Sequence, residues 1–241
     1  MISKFCVSLS SIPSRFDSVI GVVKSLNEQT LKPNKIFLNI PYSYRRFPDI
    51  KDINLDTFKN IKDNNFEINR CEDYGPGTKL LGSINLLKSF DFVILVDDDH
   101  YYHPSMCEIF NKYFNLNKEQ AYSFFTVKIY DLIMGQGADG FLVNTNHLDG
   151  ILDFYNKHVR DYKYCFLNDD FWISIYLDKF KKKRVISLED ITIKEINQKY
   201  IYKKINFSEP LYKIYNKIFT RRNYAKYHYL RILFQEKFFK L

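Results

Sequence analysis

An apolar run that ends in three carboxylates is the feature that most limits how this chain can fold. Residues 92–96 read Phe-Val-Ile-Leu-Val and are followed directly by Asp97, Asp98 and Asp99. A short run rich in branched apolar side chains is typical of a strand buried on both faces. In an open α/β sheet, ligands bind just beyond the carboxyl ends of such strands. The pattern therefore predicts a central strand that presents an acidic site at its end.

Three adjacent carboxylates repel one another, so this end of the strand needs positive charge. A divalent cation would remove the repulsion, because hard oxygen ligands favour Mg²⁺ or Mn²⁺. A solvated acidic turn is the alternative, and these three residues alone do not decide between the two. His100 and His103 flank the triplet as further potential ligands, although exposed polar side chains are the more common case at such positions.

The first forty residues predict a strand, a helix and a second strand with short connections. Apolar segments at 4–9 and 35–40 enclose residues 15–27, where apolar side chains recur at helical spacing. Such a unit demands a parallel pair of strands and an α/β fold. The same criteria predict further strands at 66–70, 92–96, 121–130, 141–143, 184–187 and 191–193, and helices at 78–87, 104–114, 146–158 and 171–180.

Two glycine-rich segments invite a ligand-binding interpretation. Residues 75–79 read Gly-Pro-Gly-Thr-Lys, and such an entry to a helix can hold phosphate on backbone N–H groups with Lys79 adding charge. The spacing is not that of a P-loop, and a plain turn is the alternative. Residues 135–140 begin Gly-x-Gly, but no helix follows at once, so a dinucleotide site is disfavoured.

Length and composition indicate one large domain, or one domain with an appendage. The chain has 241 residues, of which 46% are hydrophobic. We expect no transmembrane helix, because no apolar run reaches about 18 residues, and no signal peptide at the N-terminus. The four cysteines are far apart, which is typical of free thiols in a reducing compartment. A cytoplasmic location is therefore expected.

The net charge of +8 lies entirely in residues 201–241, which contain ten Lys or Arg and two Glu. Aromatic and aliphatic side chains recur there every three or four residues, which predicts a basic amphipathic helix. We expect a domain at 1–200 and a basic helical extension at 201–241. Attachment to the inner face of an anionic membrane and packing of the extension on the core both remain open. Nucleic acid is disfavoured as a partner, because the helical spacing favours packing or a membrane surface.

Five separated segments, taken in order, resemble GT-A fold glycosyltransferases of the small bacterial and viral, family 2-like kind. The segments are residues 8–15, 73–80, 96–99, 135–140 and 168–174, and the resemblance spans about residues 3–190. It implies a Rossmann-like, mostly parallel mixed sheet flanked by helices. It also implies Mn²⁺ or Mg²⁺ as cofactor and a nucleotide-sugar donor, with UDP-sugar the first choice. The acceptor would be a hydroxyl of a glycan or of a lipid-linked molecule.

The resemblance also implies roles for individual residues. Donor-binding positions are Ser8, Leu9, Ser10, Ile12, Arg15, Lys79, Asp97 and Asp98. Metal ligands are Asp97 and Asp99. The loop that lines the donor sugar and the acceptor comprises Gly137, Ala138 and Asp139, together with Trp172. The catalytic pair is Asp169 and Asp170.

Asp170 is expected to be the base of an inverting reaction. A carboxylate at a helix start is held by free N–H groups and is expected to stay ionised. Simple helix caps are the alternative for both acids of the pair. Related enzymes often carry a further metal-binding His after the catalytic acid, and here the only such residue is His228, which we do not assign. Another metal-dependent enzyme, such as a nucleotidyltransferase, is disfavoured because no Gly/Arg/Lys loop follows the first strand.

Overall fold

The computed structural model describes residues 2–191, 194, 196, 201–205 and 211–238, and of residues 211–222 it describes the backbone alone. The first half is built from alternating strands and helices. Its elements are β1 (Phe5–Ser10), α1 (Phe16–Asn27), β2 (Lys35–Pro41), β3 (Phe66–Cys71), α2 (Thr78–Leu81) and β4 (Phe92–Leu95). Each strand predicted before residue 100 is therefore present, within one or two residues of the expected bounds.

The second half combines short strands with the remaining helices. Its strands are β5 (His100–Tyr102), β6 (Ala121–Ser123), β7 (Thr126–Ile129), β8 (Leu132–Gly135), β9 (Phe141–Asn144), β10 (Val185–Ser187) and β11 (Tyr202–Lys204). Its helices are α3 (Met106–Leu116), α4 (Ile151–His158), α5 (Lys163–Phe166), α6 (Asp169–Ile175), the single turn α7 (Glu189–Ile191) and α8 (Leu211–Gln235).

Seven strands form one mixed sheet in the order β10-β6-β9-β4-β1-β2-β3. β9 runs antiparallel to both of its neighbours, and every other adjacent pair is parallel. The expected fold class, a mostly parallel sheet flanked by helices, is confirmed. Because β1, β2 and β4 run in one direction, their carboxyl ends meet at one edge of the sheet, where a ligand site is expected.

Two hydrophobic clusters cover the two faces of this sheet. Alternate side chains of β4 point to opposite clusters, Val93 and Leu95 to one and Phe92 and Ile94 to the other. That alternation explains why the run before Asp97 is apolar throughout: a strand covered on both faces has no polar side. Helices α1 and α3 cover one face, and α4, α6 and α8 contribute to the other.

Several predicted elements differ from the structure. The expected strand at 121–130 is two strands, because the chain leaves the large sheet after Ser123 and forms a separate β7–β8 hairpin. The expected helix at 146–158 begins only at Ile151, after Gly150 with a φ of 83°, a conformation open to glycine. The helix expected at 78–87 ends at Leu81. Residue 191 closes a helical turn instead of opening a strand, and residues 192 and 193 lie outside the described part.

Residues beyond 200 contact the rest of the protein in two places. β11 pairs antiparallel with β5, directly after the acidic triplet. Further on, α8 buries one face in the larger hydrophobic cluster through Ala225, Tyr229, Ile232 and Leu233. Tyr229 also donates a hydrogen bond to Asp131 at 2.7 Å. For the side chains from 223 onwards, packing on the core is therefore what the structure shows, and the division at residue 200 stays a prediction. None of the helices in the described ranges has the length and apolar character needed to cross a membrane.

Candidate active site

A cavity of about 530 Å³ opens at the edge of the sheet where β1, β2 and β4 end. Its walls come from the loops that follow these strands, from the start of α2 and from the start of α6. Nine of the residues predicted from sequence lie in its lining: Ser10, Ile12, Arg15, Lys79, Asp97, Asp98, Asp99, Asp169 and Asp170. Acids from two distant parts of the chain thus share one opening.

Asp98 is buried and held by the loop after β1. Ser11 donates a hydrogen bond to Asp98 Oδ2 at 2.6 Å, and the Arg15 guanidinium donates to Oδ1 at 3.0 Å. Burial raises the pKa of Asp98, against the lowering effect of Ser11 and Arg15. Arg15 also lies 3.5 Å from Asp99 Oδ2, so one guanidinium faces two of the three carboxylates.

Asp99 and Asp97 form a group with His100 that suits a cation. One ligand atom from each of the three residues lies within 4.8 Å of the others. His100 Nδ1 is 2.7 Å from Asp99 Oδ1, but the pair does not meet the geometry of a hydrogen bond, and Nδ1 is buried without any other partner among the described residues. A buried ring nitrogen without a partner beside two carboxylates fits a divalent metal. The expectation that His100 is an exposed polar residue was wrong, because the ring is buried against Tyr202.

Lys79 joins the two acidic segments. Its ammonium group contacts Asp97 Oδ1 and lies 3.1 Å from Asp169 Oδ2. Burial by itself lowers the pKa of Lys79, but the charges of Asp169, Asp97 and Asp170 outweigh it and raise the pKa well above its ordinary value. Lys79 is therefore a permanent buried cation between acids, not a free group aimed into the cavity.

Asp170 is held by the glycine-rich loop rather than by its own helix. The backbone N–H of Gly137 donates to Asp170 Oδ1 at 2.9 Å, and the Ser174 hydroxyl donates to the Asp170 carbonyl at 2.7 Å. Burial and the charge of Asp169 raise the pKa of Asp170 well above its ordinary value, although Lys79 opposes them. The expectation that free helix N–H groups keep this carboxyl strongly ionised is therefore wrong. The raised pKa makes Asp170 a stronger base than a solvated aspartate.

Four other predicted residues lie away from the opening. Ser8 and Leu9 are fully buried within β1, where the Ser8 hydroxyl bonds to the Lys79 carbonyl. Trp172 is 0% exposed and packs in the core. Asp139 is buried too, and burial raises its pKa to about 7.

Gly137 lies close to the acid cluster. A Cβ at this position would lie 2.8 Å from Lys79 Nζ and 3.3 Å from both Asp170 Oδ1 and Asp97 Oδ1. Glycine suits this position, because a Cβ here would require the Lys79 ammonium group to shift from its place between the acids. Ala138, the next residue, is half-buried.

Sequence reasoning missed several polar groups that hold the acids in place. Ser11 bonds the Asp98 carboxylate, Ser18 bonds its carbonyl at 2.8 Å, and the Tyr102 hydroxyl accepts from the Asp97 N–H at 2.9 Å. Ser11 stands in the segment 8–15 already singled out and Ser18 in the helix predicted after it, and their hydroxyls were the available signal. Tyr102 had no such signal, because it reads as an ordinary strand residue.

The lining of the cavity carries more negative than positive charge. Six aspartates face three basic residues: Asp73, Asp97, Asp98, Asp99, Asp169 and Asp170 against Arg15, Arg46 and Lys79. A proton on Asp170 would leave the balance negative. An anionic ligand is repelled from such a lining unless a cation accompanies it.

The fold matches that of GT-A glycosyltransferases. No protein-family model matches the chain, and no curated protein matches its sequence. Among solved structures, the mannosyltransferase PcManGT from Pyrobaculum calidifontis, in complex with GDP-Man and Mn²⁺, aligns with a TM-score of 0.54 and 12% identity. That alignment covers 78% of this chain and 55% of the other. TarS 1-349 from S. aureus in complex with UDP-GlcNAc aligns with a TM-score of 0.49 and 14% identity, over 86% of this chain and 60% of the other. The protein has the GT-A fold, and it spans between half and two thirds of the length of these neighbours.

Proposed function

We propose that the protein is a metal-dependent, inverting glycosyltransferase that moves a sugar from a nucleotide-sugar to a hydroxyl group. The observation that carries the proposal is the meeting of Asp97, Asp99 and Asp170 around one open cavity at the carboxyl edge of a GT-A sheet. PcManGT is described with a nucleotide-sugar and Mn²⁺. A UDP-sugar remains our first choice of donor, and Mn²⁺ or Mg²⁺ the cofactor.

The donor would lie along the loop after β1. Ser10, Ile12 and Arg15 line the cavity there, and Arg15 is fixed by its contacts with Asp98 and Asp99. Asp97 and Asp99, with His100, would hold the metal. When bound, such an ion accepts the charge that develops on the leaving diphosphate. The negative lining then explains the metal dependence, because a diphosphate could not approach these aspartates alone.

Asp170 would remove the proton from the acceptor hydroxyl as that oxygen attacks the anomeric carbon. Attack on the face opposite the leaving diphosphate inverts the anomeric centre. The Gly137 N–H fixes one carboxylate oxygen of Asp170 and leaves the other for the proton. The charges of Lys79 and Asp169, which pair with each other, act on the carboxyl group of this base. Through its hydrogen bond to Asp170, we expect Gly137 to position the base on the acceptor side of the cavity.

A membrane surface remains our proposal for the location of the acceptor. The half of α8 that is not packed on the core exposes Tyr227, Leu230 and Phe234, which are three and four residues apart. Residues 201–241 carry a charge of +8. An exposed apolar stripe on a basic helix is the pattern of peripheral attachment to anionic lipid. Such attachment would bring the cavity to a lipid-linked acceptor.

Thermal denaturation with a nucleotide-sugar panel tests donor and metal binding. A ligand that binds only the native protein raises its stability. We expect one nucleotide to raise the melting temperature with Mn²⁺ present and not with chelator, and Asp99→Asn to abolish that rise. Asp52→Asn, an exposed acid outside the cavity, is the matched control. An undiminished metal-dependent shift in Asp99→Asn contradicts the metal assignment. Release of pyrophosphate from a nucleoside triphosphate would instead identify a nucleotidyltransferase.

Turnover of the donor found in this panel tests the base. Asp170→Asn keeps an oxygen for the Gly137 N–H but loses basicity, so we expect donor binding to persist and turnover to fall on the order of 10²-fold. Asp169→Asn should reduce turnover by a smaller factor. Near-parental turnover in Asp170→Asn, or a product that keeps the anomeric configuration of the donor, rules out this role.

A further inference from the structure

A second cavity of about 620 Å³ adjoins the acidic one and has the opposite charge. Arg46, Phe47 and Leu167 line both cavities, so the two openings share a wall. The remaining lining of the second cavity holds three more basic side chains and a single acid, Asp161. Two neighbouring cavities of opposite charge suit two ligands with different electrostatic needs.

Three of these basic side chains have no carboxylate partner among the described residues. Arg45, Arg160 and Lys163 make no ion pair there, and all three are exposed. The guanidinium of Arg45 lies 4.5 Å from the ring centre of Phe166, and within the described part of the chain its only hydrogen-bond acceptor is the Arg160 carbonyl, at 3.4 Å. Clustered cations that outnumber the acids around them raise the local potential and attract an anion.

We propose that this second cavity binds a phosphate group of the glycosyl acceptor. The proposal rests on the proposed function, because it assigns the neighbouring acidic cavity to the donor. Guanidinium groups match phosphate oxygens in geometry and form charge-assisted hydrogen bonds with them. The rings of Phe47 and Phe166 give the cavity apolar walls beside its cations, so a sugar or prenyl portion next to the phosphate would also find contacts.

The position of the cavity relative to α8 suits a phosphate at a membrane surface. Helix α5, which contributes Lys163 and Phe166, packs against α8, and the rings of Tyr164 and Tyr224 stack at 3.7 Å. A phosphate in a lipid-linked acceptor and a phosphate in a soluble glycan share the same chemistry at the cavity. The experiment must therefore separate these two sources.

Equilibrium dialysis with radiolabelled inorganic pyrophosphate in the presence of chelator tests the site. Without a divalent ion the acidic cavity repels the probe, so binding reports on the basic cavity. We expect the parent chain to bind pyrophosphate and the double variant Arg160→Gln/Lys163→Gln to bind about tenfold more weakly, because two charge-assisted contacts are lost. Lys128→Gln, an exposed lysine of β7 outside both cavities, is the control and should bind like the parent.

Two competitors distinguish the sources. Stronger displacement of the probe by farnesyl diphosphate than by a soluble glycerol phosphate oligomer assigns the cavity to a lipid-linked phosphate, and the reverse order assigns it to a phosphate-bearing glycan. The proposal is overturned if the parent chain binds no pyrophosphate, or if the affinity of the control variant for pyrophosphate falls as much as that of the double variant. The metal-dependent nucleotide shift should be the same in parent and double variant. If the parent lacks that shift, the donor assignment fails while the pyrophosphate result still stands.

Discussion

Replacing Lys79 with methionine should destabilise the protein far more than the same change at the surface. Lys79 is 6% exposed and faces Asp97 at 33% and Asp169 at 9%. Methionine keeps most of the side-chain volume but leaves the acids without their cation. Removing one partner of a buried pair costs about 3–5 kcal/mol. Because Asp97 is a third exposed, water screens part of its interaction with Lys79. We therefore expect Lys79→Met to lower the free energy of unfolding by about 3 kcal/mol, the low end of that range.

Lys35→Met is the matched control for this substitution. Lys35 pairs with Glu67 at 3.3 Å, with side chains 37% and 44% exposed. Exposed pairs contribute about 0–1 kcal/mol, so the control should unfold almost like the parent. In a chain of this size, a loss of about 3 kcal/mol lowers the melting temperature by roughly 6 to 12 °C.

Urea and thermal unfolding, run with and without Mn²⁺, measure the difference. Mn²⁺ should restore part of the stability if Asp97 and Asp99 hold it. Equal losses in Lys79→Met and Lys35→Met would refute the reasoning, since Lys79 would then not be the charge that holds the acid cluster together.

Four further predictions concern pH and the two faces of α8. The raised pKa of Asp170 means that turnover should be lost as the pH falls through that pKa, and the residual activity of Asp170→Asn should lack this limb. Hydrogen bonds from Lys179 and Tyr229 lower the pKa of Asp131 to about 2. The stability that Asp131 contributes is therefore present above roughly pH 4 and is lost as the pH falls towards the lowered pKa. In acid titrations of unfolding, Asp131→Asn should remove that pH dependence. Ile232→Ala, at a position 0% exposed, should cost about 2–4 kcal/mol in urea unfolding. Phe234→Ala, at a position 78% exposed, should leave stability unchanged but weaken binding to anionic vesicles; a stability loss at Phe234 would contradict the division of faces.

Local patterns in the sequence were sufficient to predict the sheet and the acidic edge. The run at 92–96 is apolar because β4 is covered on both faces, and that property is visible in the residues themselves. The single strand predicted at 121–130 was wrong because it rested on the same signal. The apolar character of the sequence continues through Ser123, where the chain leaves the sheet. Periodicity reports burial, but it does not report which sheet buries a residue.

Contacts between distant segments could not be predicted. Three adjacent carboxylates suggested a cation, yet Arg15 and Lys79 already supply two charges from elsewhere in the chain. The N–H that holds Asp170 comes from Gly137, thirty-three residues away in sequence. His100 was expected to be exposed because no local pattern showed that β11 would cover it. Each error concerns a partner that only the folded chain brings near.

The pairing of β5 with β11 has a consequence for the order in which the site can form during synthesis. Ile205 donates a backbone hydrogen bond to the Asp99 carbonyl at 2.9 Å, and His103 donates one to Ile201 at 2.7 Å. The ribosome delivers β4 and the three aspartates about a hundred residues before it delivers this covering strand. A nascent chain can therefore complete its parallel sheet while the loop beyond Asp99 still lacks its final hydrogen bonds. The acidic end of the cavity is thus among the last parts of the fold to be completed, and ribosome-bound chains stalled before and after residue 205 should differ in their protection from protease at that loop.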